Sequence, residues 1–122
     1  MPTAEELIIQ TLKDKASLKQ DIFKLTIETF DIFKAKLKAV AHRLNDKVRE
    51  IDTRILIEYH ERSPFSIYIR TAGDLLIFEM HTNVFLFDSQ HKAWNLSYVE
   101  EDPSRAYCGM ISMYNFLSDS MK

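Results

Sequence analysis

The chain has 122 residues, 46% hydrophobic and 28% charged, with 16 Lys+Arg against 18 Asp+Glu and a formal charge of -2. A chain of this length buries enough apolar surface to hold a core without disulfides or metal. One cysteine excludes an intrachain disulfide, two glycines exclude a Gly-rich phosphate loop or dinucleotide fingerprint, and no apolar run approaches the ~18 residues of a membrane span. The opening Met1-Pro2-Thr3-Ala4-Glu5-Glu6 is acidic where a secretory signal would be basic, so a cytoplasmic protein is expected.

Residues 3–50 read as helix. Thr3 and Glu6 have capping-box spacing, in which hydroxyl and carboxylate each accept a free amide hydrogen of the first turn. Ile9, Ala16, Phe23, Phe30, Leu37, Leu44 and Ile51 recur every seven residues, with Leu12, Phe33 and Val40 between them, so one face is apolar. A single helix of this length would be about 70 Å long, against a radius of gyration near ~14 Å for a compact domain. The helix is therefore either long or broken. A break is favoured at Lys15-Ala16-Ser17, where Ser17 and Gln20 repeat the capping pattern.

Residues 54–99 alternate with period two and read as an antiparallel meander of about five strands. Ile55, Ile57 and Tyr59 alternate with Leu56, Glu58 and His60; after Arg62-Ser63-Pro64, Phe65, Ile67 and Ile69 alternate with Ser66, Tyr68 and Arg70. Gly73 is expected to supply a positive φ in the turn before a third strand, Leu75 to His81. Val84 to Asp88 reads as a fourth strand and Trp94 to Tyr98 as a fifth. Asp102-Pro103 signals a C-terminal helix over 103–121, with Tyr107, Met110, Ile111, Tyr114, Leu117 and Met121 on the face covering the sheet. The expected architecture is a single α+β domain, residues 1–122.

Four features bear on function. Glu58, His60, Glu79 and His81 form two Glu-x-His pairs at strand ends, each on one face, and if those ends adjoin they offer a divalent-metal site and a metal-dependent enzyme. Residues 34–49 carry Lys34, Lys36, Lys38, Arg43, Lys47 and Arg49 against Asp46, a local charge of +5 that leaves -7 elsewhere. That basic surface would suit nucleic acid if its charges clustered beside aromatics; the interleaved residues are aliphatic, and an antiparallel homodimer gives the same charges another use. Cys108, between Tyr107 and Met110, reads as structural. Finally, Tyr68, Leu75, Ile77, Val84 and Leu86 form a second sheet face too apolar for water alone. The expectation is a non-catalytic, homodimeric interaction module without a cofactor. It would engage a protein or a small apolar ligand through that sheet face or the helix surface.

Overall fold

The computed structural model of the protein describes residues 1–117. It is α+β, with a long N-terminal helix, a four-stranded antiparallel sheet and a second, two-stranded sheet. Helix α1 spans Ala4–Ile51, 48 residues without the break favoured at Ser17. Its start is the capping box: the Thr3 amide donates to Glu6 Oε2 at 3.0 Å, and the Glu6 amide donates to Thr3 Oγ1 at 3.1 Å. Ser17 and Gln20 have the same spacing, but no Gly or Pro interrupts the backbone ladder there, and breaking it would orphan carbonyls and amides on both sides. The helix stops at Asp52, whose carboxylate accepts the Arg54 amide at 2.9 Å and its guanidinium at 3.0 and 2.8 Å.

The seam of α1 keeps Phe23, Phe30 and Leu37 of the seven-residue repeat and departs from it toward both ends. Buried and half-buried positions follow Leu18, Ile22, Thr26, Phe30, Leu37, Ala41, Asn45 and Val48, close to the 3.6 residues of a helical turn. A straight helix slips ~20° per heptad, so Leu44 and Ile51 rotate off the seam into solvent.

The strands are β1 (Ile57–Ser63), β2 (Ser66–Thr71), β3 (Asp74–Met80), β4 (Phe85–Leu86), β5 (Tyr107–Cys108) and β6 (Ile111–Leu117), with a short helix α2 (Ser97–Glu101) between β4 and β5. The chain forms two compact units. One comprises residues 1–26 and 82–110; the other comprises residues 27–81 and the chain from Ile111.

In the second unit the sheet order is β1-β2-β3-β6, antiparallel throughout. The pairs Tyr59–Ile69, Ile69–Leu76 and Ile67–Phe78 put Ile57, Tyr59, Ile67, Ile69, Leu76, Phe78 and Met80 on one face. Phe33 of α1 meets Phe78 there edge to face, ring centroids 5.3 Å apart, and stacks on the buried Phe30 at 6.3 Å. Asn45 Oδ1 accepts the Ile57 amide at 2.9 Å, and Lys34 Nζ donates to the Pro64 carbonyl at 3.2 Å, so polar bonds tie the helix at both ends of β1. The turn between β2 and β3 differs from expectation: Ala72, φ 46°, occupies the left-handed region and Gly73 does not. Thr71 pairs with Asp74, which leaves a two-residue turn, and one such hairpin class puts its positive φ at the first central residue.

The two sheet edges differ in chemistry. β1 carries Glu58, His60, Glu61 and Arg62 and an irregularity in register between Glu61 and Ser63, whereas β6 has no charged residue. β6 also replaces the expected helix over 103–121. Ile111, Ser112, Met113, Tyr114, Asn115, Phe116 and Leu117 fit period two as well as a helical face, and pairing all seven rows of β3 satisfies backbone groups that a helix would leave open. Met121 lies outside the described residues.

In the first unit, β4 pairs with β5 over two residues, and the expected fifth strand is absent. Residues 92–95 form a 3₁₀ turn instead: His91 Nδ1 accepts the Ala93 amide at 3.0 Å, and Trp94 Nε1 donates to the Phe87 carbonyl at 3.1 Å. Leu96, within the expected fifth strand, is exposed. Asp102 does cap, its Oδ1 accepting from the Ser104 amide at 3.1 Å, but the turn it starts ends at Ala106.

Gly109 lies against Thr26 of α1; a Cβ there would sit 2.6 Å from Thr26 Cγ2. Gly109→Ala is therefore expected to lower stability by about 1–3 kcal/mol, the usual penalty of overpacking. Thermal unfolding would show the loss, and adding Thr26→Ala should recover part of it.

Candidate interaction surface

The second face of the four-stranded sheet carries Glu58, His60, Tyr68, Leu75, Ile77 and Glu79 of the residues singled out from sequence. Register places Tyr68, Ile77 and Tyr114 in one cross-strand row and Arg70, Leu75 and Phe116 in the next. Leu75 and Ile77, expected to need a partner, are 6% and 5% exposed. The larger groups flanking them are packed together: the His60 ring stacks on Tyr68 at 4.9 Å, Arg70 lies 5.9 Å from the Tyr68 centroid, and Tyr114 stacks on Phe116 at 6.1 Å. Leu75 and Ile77 are thus buried, while Tyr114 and Phe116 beside them on the same face are 41% and 38% exposed.

The two Glu-x-His pairs share this face but not a site. β1 continues to Ser63, so Glu58 and His60 lie in its first half, 3.7 Å apart. Glu79, near the end of β3, is opposite Ser66, whereas Glu58 is opposite Arg70. That is four residues, ~13 Å, along the strand direction and ~10 Å across it. His81 turns to Ser112, with Nε2 and Oγ 2.8 Å apart. Among the described residues no group of three His, Cys, Asp or Glu is placed to hold a metal ion.

Val84 and Leu86 belong to the first unit, where with Lys15, Leu18, Lys19 and Tyr107 they line a cleft of 250 Å³. Cys108 is half-buried on β5, opposite Phe85. The basic stretch of α1 is also divided. Lys34 is drawn inward, 3.3 Å from Asp31 and 5.5 Å from the Phe30 centroid. At ~100° per residue, Lys36, Arg43 and Lys47 fall on one flank of the seam and Lys38 and Arg49 on the other. The positive charges frame the packed face and do not form one patch. Among the described residues no helix is long and apolar enough to cross a membrane.

A run of unburied apolar side chains lies in the first turns of α1, on the helix whose seven-residue repeat predicts one apolar face. No residue from 1 to 17 is buried or half-buried, and within those turns Leu7, Ile8, Ile9 and Leu12 are 55%, 60%, 57% and 62% exposed. A signal was present: Leu7, Ile8 and Ile9 are consecutive, and three adjacent apolar residues on a helix span ~200°, more than one packed face covers. Glu5, Ile8, Leu12, Lys15 and Lys19, spaced three and four apart, form one stripe along these turns. No protein-family model, curated protein or solved structure matches this chain.

One titration marks the helix-facing side of the sheet. Partial burial, then the hydrogen bond from its hydroxyl to Glu61 Oε1 at 3.1 Å and the nearby negative charge, push the Tyr59 phenol up to about 12. A phenol raised above its unfolded value contributes stability that is intact below about pH 10 and lost as pH rises toward 12. Ultraviolet titration of phenolate should show one tyrosine ionising near 12, and Tyr59→Phe should remove that step alone.

Proposed function

We propose that this chain is a non-catalytic protein-interaction module whose contact surface is the exposed apolar face of the first four turns of α1. The observation that carries this reading is the exposure of Leu7, Ile8, Ile9 and Leu12 in a stretch without a single buried residue. Scattered apolar residues on a surface need no explanation, but Ile8 and Leu12 share one stripe of the helix with Ile9 beside it, and all three are exposed. An isolated helix of this length is also marginal in water, because most helical stability in proteins comes from packing an amphipathic face. Among the described residues nothing buries the apolar side chains of these turns, and they gain that support when another surface lies against Ile8 and Leu12.

Backbone amide exchange on a dilute, monomeric sample tests the reading. Amides 8–17 are expected to exchange within about tenfold of the unstructured rate, while amides 30–48, packed on the sheet, are protected by several orders of magnitude. Equal, slow exchange across both stretches in a monomer would mean that the first turns are held from within, and the surface would have no partner to wait for.

A further inference from the structure

We infer that the occupant of this surface is a second copy of the chain, its first four helical turns lying antiparallel to their counterpart. The inference rests on the interaction surface proposed above and names its partner. The argument is the order of residues along the stripe: an acid, two apolar side chains and a base, Glu5, Ile8, Leu12 and Lys15. When two copies run antiparallel with positions summing to 20, Ile8 of each meets Leu12 of the other in two central layers. Glu5 of each then meets Lys15 of the other at both ends. The three-four-three spacing alternates the two seam positions of a heptad, so each layer pairs one kind of position with the other, as antiparallel helices require. A parallel arrangement would set Glu5 against Glu5 and Lys15 against Lys15, repelling at both ends.

The described side chains leave both charges available. Among the described residues Glu5 and Lys15 make no ion pair, whereas Glu6 is committed to the cap and Asp14 accepts from Gln10 at 2.9 Å. Ile9 flanks the seam and adds apolar contact. Two apolar layers with charged ends make a small interface, at the weak end of specific association, so the dimer forms and dissociates with concentration.

Sedimentation equilibrium or light scattering from about 1 to about 500 µM tests this. The wild-type chain is expected to pass from monomer to dimer within that range. Leu12→Asp should abolish the transition; the position is exposed, so circular dichroism and thermal unfolding should otherwise be unchanged. Glu5→Lys or Lys15→Glu, each creating two like-charged layers, should weaken association about tenfold, and the double exchange Glu5→Lys/Lys15→Glu should restore it. A double variant as weak as either single one would overturn the antiparallel register. A chain that stays monomeric throughout, or whose association survives Leu12→Asp, would overturn self-pairing. If amides 8–17 still exchange rapidly in that monomer, the surface remains and its partner is another molecule. A monomer whose first turns become protected on anionic phosphatidylserine vesicles would assign the face to a lipid surface instead, and would likewise overturn the inference.

Discussion

The contact on which the rest of this structure depends is the aromatic junction of Phe30, Phe33 and Phe78. It joins the second half of α1 to the central strand β3, and truncating one such buried ring typically costs about 3–5 kcal/mol. Its effect is directional as well as energetic. Fixing Phe30 and Phe33 against the sheet sets the rotation of the helix about its axis, and helical geometry then decides which side every other residue of α1 presents. Leu37, Ala41, Asn45 and Val48 follow on the packed side, and the polar bonds from Asn45 and Lys34 hold that rotation. The same periodicity leaves Leu25 and Ile32 outside, apolar though they are.

Much of the architecture was legible because it rests on local chemistry. The Thr3–Glu6 box, the hairpins of β1 to β3, the alternation that separates the two sheet faces, and the Asp102 cap all follow from neighbours within a few residues. The misreadings have a different origin. Residues 111–117 satisfy both periods, and what selects a strand is the unpaired edge of β3, distant in sequence. Trp94 alternates with Leu96 and Tyr98 as a strand would, but hydrogen bonds from the Ala93 amide to His91 and from the Trp94 indole to Phe87 fold the segment into a turn. Ala72 takes the left-handed position that glycine usually fills because turn length, not residue preference, fixes which residue stands there.

The functional residues divide along the same line. Sequence could show that Glu58 and His60, or Glu79 and His81, point the same way; it could not show the rows on which each pair falls, which depend on where β1 ends. Alternation shows which residues share the second sheet face but not how far each is buried: Leu75 and Ile77 are, whereas Tyr114 and Phe116 are exposed. A seven-residue repeat makes every apolar position along α1 look equivalent, in the first turns as in the later ones. What distinguishes Ile8 and Leu12 from Phe30 is whether the chain returns to pack on them, and that is a property of topology.

The contrast between the two edges of the four-stranded sheet gives it a polarity of growth. Along β1, Glu58, Glu61 and Arg62 with the irregularity before Ser63 obstruct any further backbone from docking alongside, whereas β6, uncharged from Ile111 to Leu117, imposes no such obstacle. Among the described residues the sheet thus bears its charged obstacles to a neighbouring strand on one flank, the β1 edge, and none on the other.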